Sequence, residues 1–175
     1  KGSFPLFDGD ALLARPGIQR LGKSIRNDNP KRGLRNGLVT SIAPTGTISL
    51  LAGNVSSGVE PVFDFVYQRR LLNAHGGANV EIVEDFAHSR FRQTFGDETS
   101  LPKYFVGASD LSPSEHLEMQ AALQPHVDSA ISKTINCPEN LAFKAFEEIY
   151  SKAYDLGLKG CTTYRPNAIT GAVLE

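Results

Sequence analysis

Short apolar runs and helix-like apolar spacing follow one another along the chain. Residues 38–43 form an apolar, β-branched-rich run that predicts a buried strand, and residues 47–51 predict a short helix directly after it. Residues 133–137 and 159–164 predict two further short strands. These three segments indicate a sheet built from short strands.

A helix start is encoded at Ser112. Ser112 has the side chain of an N-cap, Pro113 fits the first helical position, and Glu115 completes a capping box. The helix is predicted to continue to Ile131, with a kink at Pro125, which cannot donate a backbone hydrogen bond.

A second long helix is predicted over residues 139–156, and Gly157 supplies the left-handed residue that ends it. The apolar stripe of this helix recurs at helical spacing at Leu141, Ala145, Ile149 and Ala153. The predicted order of elements in the second half of the chain is therefore helix, strand, helix, strand. This alternation favours an α/β fold with parallel strands and helices that cover the sheet.

The remaining segments give weaker patterns. Residues 1–30 are rich in Gly, Pro, Asn and Asp and predict a surface-running segment with a short helix at 8–14. Residues 62–72 are apolar and aromatic and predict a strand or an extended arm. His75-Gly76-Gly77 breaks the chain, and Asn79 is predicted to cap a helix that runs to Phe91.

The corner between the first predicted strand and its helix consists of small and hydroxylated residues. Unpaired N–H groups and the helix dipole at such a corner attract anions, and hydroxyls add donors. No lysine follows Gly46, so the P-loop pattern is absent, and so is the Rossmann glycine pattern. The candidate phosphate-binding residues are Pro44, Thr45, Gly46, Thr47, Ile48 and Ser49. The alternative is an ordinary corner capped by a Thr or Ser side chain.

Composition sets broad limits. The 175 residues are 41% hydrophobic and 21% charged, with a net charge of −1, which is typical of one globular domain or a large piece of one. No basic surface for nucleic acid and no apolar run for a membrane span is expected. Cys137 and Cys161 are predicted to be free thiols in a cytoplasmic protein. The four histidines lack metal-ligand spacing, so no metal site is predicted.

The chain begins with Lys1, and Met119 is its single methionine. We therefore expect it to be a piece of a longer polypeptide. Exposed sheet edges and apolar helix faces would then favour self-association of the isolated piece.

Four motifs occur in a fixed order and carry a family resemblance. They are Pro44-Thr45-Gly46-Thr47-Ile48-Ser49, Gly58-Val59-Glu60-Pro61, Ser132-Lys133-Thr134-Ile135-Asn136, and Gly157-Leu158-Lys159-Gly160 with Thr163-Tyr164-Arg165. Together they resemble the ribonucleotide reductases, in particular the catalytic chain of the adenosylcobalamin-dependent class (class II). The resemblance extends from about Gly2 to Asn167.

The resemblance implies a fold and a role. Residues 1–175 would form a fragment of a single α/β barrel catalytic domain, namely the last strands and helices of the ten-stranded α/β barrel of these enzymes. Residues 44–49 would hold the phosphates of a ribonucleoside diphosphate or triphosphate substrate. These contacts would fix the position of the ribose for radical chemistry. The implied partners are the remainder of the catalytic chain and a second copy in a homodimer.

The resemblance also implies what this chain lacks. The thiyl-bearing cysteine of the family lies in an Asn-x-Cys-x-Glu loop, and Asn136-Cys137-Pro138-Glu139 has the wrong spacing. No catalytic residue is therefore assigned here, and the fragment alone should be inactive. Thr163-Tyr164 stands where the class with a separate radical-generating subunit needs two tyrosines. This favours adenosylcobalamin, bound mainly by parts of the enzyme outside this chain.

Two other functions remain open from the residues alone. The chain could be a stand-alone phosphate- or nucleotide-binding module without catalysis, or a structural or oligomerisation piece. Residues 54–60 could line a pocket or simply form a loop shaped by Gly58 and Pro61. The roles of Arg35, Tyr164 and Arg165 stay undetermined, although Tyr164 and Arg165 are expected near the pocket.

Overall fold

Helices and short strands alternate in the computed structural model, which describes residues 2–55, 57–72 and 78–166. The helices are α1 (Gly9–Leu13), α2 (Pro16–Gln19), α3 (Lys23–Arg32), α4 (Gly46–Leu51), α5 (Phe86–Phe95), α6 (Pro113–Leu123) and α7 (Phe143–Asp155), with a 3₁₀ turn at Gln124–His126. The strands are β1 (Val66–Leu72), β2 (Ala78–Glu84), β3 (Thr134–Asn136) and β4 (Thr162–Tyr164).

Strands β3 and β4 lie parallel and hold the core. Thr134 pairs with Thr162, and Asn136 pairs with Tyr164. Ile135 between them is completely buried. It packs with residues of α6 and α7 in a cluster formed by Leu117, Ile135, Cys137, Ile149 and Ala153. The predicted strands at 133–137 and 159–164 are therefore confirmed, as is their parallel arrangement.

The predicted buried strand at 38–43 is wrong in part. This segment forms a single parallel bridge, Ile42 to Ile131, and Ser132 N–H donates to the Ile42 carbonyl at 3.1 Å. Leu38 and Val39 are 57% and 64% exposed. The segment runs beside the chain that leads into β3, but its partner is itself irregular there, so no ladder forms.

Helix α6 begins as predicted and ends earlier. Both halves of the capping box are present, since Ser112 Oγ accepts from Glu115 N–H and the Glu115 carboxylate accepts from Ser112 N–H at 2.7 Å. The helix stops at Leu123 rather than reaching Ile131. Pro125 enters the 3₁₀ turn instead of a kinked helix, because its ring removes the donor that the helix would need.

Helix α7 presents the predicted apolar face. Ile149 and Ala153 are buried on it, and Gly157 follows its end with φ of 71°. The helix begins at Phe143, later than predicted. Leu141 N–H instead donates to the Pro138 carbonyl at 3.1 Å, so the intervening residues form a turn.

Residues 78–84 are a strand, so the helix predicted from Asn79 to Phe91 is wrong over its first half, whereas residues 86–91 lie in α5. Strand β2 pairs antiparallel with β1 from Val66↔Glu84 to Leu72↔Ala78. Its β-branched residues favour a strand when a partner is available. The true helix cap is Asp85, whose carboxylate accepts from His88 N–H at 2.9 Å. His75-Gly76-Gly77 lies outside the described residues.

The N-terminal segment contains more helix than predicted. Asp8 caps α1 as expected at 8–14. Helices α2 and α3 were not predicted, because residues 16–32 are polar and carry Pro16 and Pro30. Helix α3 packs against α1. Pro30 of α3 lies so close to Gly9 of α1 that a Cβ on Gly9 would be 3.2 Å from Pro30 Cβ.

The described ranges contain no helix with the length and apolar character needed to cross a bilayer.

The capping box yields a stability prediction. We expect Ser112→Ala to lower the free energy of unfolding by about 1 kcal/mol, because the first-turn N–H of Glu115 loses its acceptor. Urea denaturation of the chain measures this change. Ser100→Ala, at an exposed loop position, is the control. Equal losses in the two variants would contradict the prediction.

Candidate functional site

A cleft of about 1070 Å³ lies between the start of α4, the first half of β1 and the strands β3 and β4. The α4 side contributes Gly46, Thr47, Ser49 and Leu50. The strand side contributes Thr134, Asn136, Thr162, Thr163 and Tyr164. Asn136 and Tyr164 are the last residues of their parallel strands, and open α/β folds bind ligands at these carboxyl ends.

The 44–49 loop, residues Pro44 to Ser49, supplies part of this cleft. Gly46, Thr47 and Ser49 line it, whereas Pro44, Thr45 and Ile48 do not, and Ile48 is 68% exposed. Thr45 is the N-cap of α4 with φ of 53°, and its side chain makes no capping hydrogen bond. The loop is therefore not a corner capped by a Thr side chain.

A second loop, residues 57–60, contacts the 44–49 loop and the residue before it. Ser57 Oγ donates to the Pro44 carbonyl at 2.8 Å. Gly58 has φ of 63°, and a Cβ there would lie 2.5 Å from the Ala43 carbonyl oxygen. Only glycine combines this backbone conformation with so close an approach. The 57–60 loop thus fixes where residues 43–44 run.

Residues 54–60 are both pocket lining and a shaped loop. Asn54, Val55, Ser57 and Glu60 all face the cleft. Asn54 has a left-handed backbone with φ of 59°, and its side-chain amide donates to the Glu84 carbonyl at 3.1 Å. The end of α4 is thereby tied to the end of β2. Both readings left open for this segment hold together.

A buried ion pair connects the 57–60 loop to β3. Lys133 Nζ donates to Glu60 Oε2 at 2.9 Å, with the Lys133 side chain 1% exposed and the Glu60 side chain 21% exposed. The other Glu60 oxygen accepts from Thr134 N–H. Glu60 itself faces the cleft, so its carboxylate sits on the boundary between the cleft and the buried lysine.

His116 completes this buried cluster. Its Nδ1 accepts from Lys133 Nζ at 2.9 Å, and its Nε2 donates to the Ala108 carbonyl at 3.1 Å. This arrangement requires the neutral ring. Burial, followed by the Lys133 charge, lowers the pKa of His116 below its ordinary value of 6.5. His116 is 1% exposed and lies in the core.

The charges around the cleft are mixed. Asp64, Asp85 and Glu60 line it together with Arg69. The Asp85 carboxylate already caps α5, and Asp64 accepts from Phe65 N–H at 2.7 Å. Arg69 lies on β1 opposite Glu81 and is half-buried.

Arg35, Tyr164 and Arg165, whose roles the sequence leaves undetermined, lie in different surroundings. Tyr164 lines the cleft, and Arg35 is exposed away from it. Arg165 Nη1 donates to the Leu141 carbonyl at 3.3 Å and thereby ties the end of β4 to the segment before α7. Thr163, at the cleft, hydrogen-bonds Tyr150 on α7 at 2.9 Å between the two hydroxyl oxygens.

Comparison with known proteins decides the family. Residues 19–164 match the family described as ribonucleotide reductase, barrel domain. The chain belongs to this family. The fold class predicted from the motifs, part of the ribonucleotide reductase α/β barrel, is thereby confirmed.

Individual relatives agree. A vitamin B12-dependent ribonucleoside-diphosphate reductase of Mycobacterium tuberculosis (strain CDC 1551 / Oshkosh) is 33% identical over 197 residues, covering 100% of this chain and 25% of the relative. A protein of the same name from Thermoplasma acidophilum is 34% identical over 157 residues, covering 81% of this chain and 20% of the relative. This reductase barrel segment therefore spans a quarter or less of the length of these relatives.

A solved structure supports the fold. The crystal structure of a B12-dependent (class II) ribonucleotide reductase superimposes with a TM-score of 0.50 at 16% identity. The match covers 77% of this chain and 20% of that chain.

The cysteines of the barrel segment are packing residues. Cys137 is buried in the core cluster, and Cys161 packs against it. Burial raises the pKa of both thiols, which keeps them protonated. Both cysteines are free, as predicted.

The residues that line the described cleft include no histidine, cysteine or methionine, so the cleft offers no imidazole, thiolate or thioether ligand to a metal. Nor do the described parts of the chain contain a cluster of three or more metal-ligating side chains.

The close approach at Gly58 yields a matched pair of variants. Gly53 has φ of 81° with nothing near its Cβ position, whereas Gly58 has φ of 63° and faces the Ala43 carbonyl. We expect Gly53→Ala to cost about 1–2 kcal/mol through its left-handed backbone alone. Gly58→Ala should cost clearly more, because the carbonyl must also move. Urea denaturation compares them, and equal losses would disprove the close contact.

The neutral state of His116 can be observed directly. Because the folded pKa lies below the unfolded value of 6.5, protons bind the unfolded chain first, and the free energy of unfolding falls as the pH drops below 6.5. We expect the His116 Cε1 proton to keep its neutral NMR shift at pH 6.5. An H116N spectrum provides the assignment. A titration midpoint at or above 6.5 would refute the buried acceptor role.

Proposed function

We propose that this chain is part of a B12-dependent (class II) ribonucleoside-diphosphate reductase. Residues 1–175 would be a fragment of its single α/β barrel catalytic domain, and the whole enzyme would convert ribonucleotides to deoxyribonucleotides by a radical mechanism. The support is family membership over residues 19–164 and 33% identity to a relative of that name across the full length of this chain.

The proposed task of this segment is to bind the substrate's phosphates. One observation carries it: Gly46, Thr47 and Ser49 line the same cleft as the carboxyl ends of β3 and β4. Backbone N–H groups of the 44–49 loop and the hydroxyls of Thr47 and Ser49 would donate to the diphosphate, or to a triphosphate. Held by its phosphates, the nucleotide would lay its ribose along the strand ends.

Adenosylcobalamin is the proposed cofactor of the whole enzyme, where it supplies the radical that starts the reaction. Following the resemblance of the motifs to class II, we assign its binding mainly to parts of the catalytic chain outside these 175 residues. The sequence also contains no Asn-x-Cys-x-Glu loop. The 175-residue chain would therefore bind nucleotide without reducing it.

The proposed partners are the remainder of the catalytic chain and a second copy in a homodimer, with no nucleic acid or membrane, in the cytoplasm. Exposed apolar side chains support an additional protein surface. On the 38–51 segment and on β2 these are Leu38, Val39, Ile48, Leu51, Val80 and Ile82. The rest of the barrel would cover such a surface.

The phosphate-binding role is tested in the full catalytic chain that contains this segment. We expect Thr47→Val with Ser49→Ala to raise KM for a ribonucleoside diphosphate about tenfold or more, with a smaller change in kcat. Each lost hydrogen bond to a charged group is worth about 1.5–3 kcal/mol, and the loss acts on binding.

Ser89→Ala with Thr94→Val is the matched control, because these two hydroxyls lie on α5 and do not line the cleft. Unchanged KM in the Thr47/Ser49 variant would exclude these hydroxyls from phosphate binding. Nucleotide binding without reductase activity by the full catalytic chain would favour a binding module.

A further inference from the structure

The Lys133 ammonium is fully satisfied by three acceptors. An ammonium group has three N–H donors. Those of Lys133 meet Glu60 Oε2 at 2.9 Å, His116 Nδ1 at 2.9 Å and the Thr134 carbonyl at 3.3 Å. Each acceptor belongs to a different part of the fold: the 57–60 loop, helix α6 and strand β3. The lysine therefore sets the relative position of three elements.

The Glu60 carboxylate is equally committed. One oxygen accepts from Lys133 Nζ and the other from Thr134 N–H, so both oxygens hold the 57–60 loop against β3. The sequence separation between Glu60 and Lys133 is 73 residues. This pair is the polar link between the middle of the chain and the C-terminal strands.

The same loop supports the 44–49 loop directly. Ser57 donates to the Pro44 carbonyl, and Gly58 lies against the Ala43 carbonyl. A displacement of Glu60 would move Ser57 and Gly58 and would change where residues 43–44 enter the cleft. A series of contacts thus runs from Lys133 through Glu60 and the 57–60 loop to the 44–49 loop beside the cleft.

Stability is a weak reason for a buried ion pair. Taking both charges out of water costs about as much as their attraction returns, and apolar replacements are often neutral or stabilising. This pair is fully hydrogen-bonded and lies at the cleft. Its presence is therefore better explained by the elements that it holds in place than by stability. The neutral His116 fits this explanation, because a protonated ring would repel the ammonium.

We propose that Glu60 and Lys133 are positioning residues that fix the 44–49 loop against strand β3 for binding of the substrate's diphosphate. This inference rests on the proposed function. Neither residue needs to touch the phosphates. Their effect passes through Ser57 and Gly58 to the backbone of the 44–49 loop.

Glu60→Gln separates positioning from charge. Lys133 Nζ and Thr134 N–H bond different oxygens of Glu60, and glutamine replaces one of these oxygens with an NH2 group, which donates rather than accepts. In the wild-type geometry the variant therefore loses one of the two bonds and brings two donors face to face. Positioning predicts that CDP binding weakens, by about tenfold, since small displacements at a binding site are costly. A purely electrostatic role predicts the opposite sign, because removal of a carboxylate from the cleft should tighten binding of an anion.

The double variant Glu60→Gln with Lys133→Met provides the second test. It removes one charge of each sign and leaves no buried unpaired ion, which favours folding. Positioning predicts CDP binding weakened to the level of Glu60→Gln. An electrostatic role predicts affinity close to the wild type, since the net charge of the cleft region is unchanged.

The experiment measures the CDP dissociation constant by calorimetry on the full catalytic chain, well below its melting temperature. Glu118→Gln is the matched control, because Glu118 forms an ion pair of the same 2.9 Å length with Lys152 on the exposed surface. Its CDP affinity should equal the wild type.

The outcomes are distinct. Weaker CDP binding in Glu60→Gln and in the double variant supports positioning. Tighter binding, or a lower melting temperature with unchanged CDP affinity, overturns it while leaving the phosphate-binding proposal intact. A wild-type chain that binds no CDP overturns the proposed function and this inference with it.

Discussion

Strand β3 is short, but both the core and the cleft are built on it, because side chains along a strand alternate between its two faces. Ile135 points into the core and is completely buried between α6 and α7. Its neighbours Thr134 and Asn136 line the cleft. Since a one-residue slip in register would exchange these faces, the parallel pairing with β4 determines the core packing and the lining of the cleft together.

Polar groups around β3 strengthen this constraint. The N–H of Thr134 is taken by Glu60, and its carbonyl accepts from Lys133. Cys137 N–H donates to the Tyr164 carbonyl at 2.8 Å just beyond the strand. The strand is therefore held by side chains on one edge and by β4 on the other, which compensates for having only three residues.

Local signals in the sequence were sufficient for several elements. The capping box at Ser112, the stop at Gly157 and the short strand segments at β3 and β4 each depend on neighbours within a few residues. Strand β2 was missed because its apolar residues also fit helical spacing, and only pairing with β1 resolves that ambiguity.

The candidate site was predictable in a similar, partial way. The 44–49 loop was found from its composition, and the structure places three of its six residues at the cleft. The link between Glu60 and Lys133 could not be found, since no periodicity connects residues 73 positions apart. Both residues lie within family motifs, but the motifs do not indicate that the two side chains meet.

The hydrogen bond from Ser57 to Pro44 closes a loop of chain that includes α4 and whose ends are 13 positions apart. The entropy cost of ordering this loop is met during folding rather than during ligand capture. An incoming anion would then find its donors already aligned and would lose little conformational entropy of the protein on arrival. Calorimetry of such a site is expected to report desolvation and hydrogen bonding rather than a disorder-to-order transition.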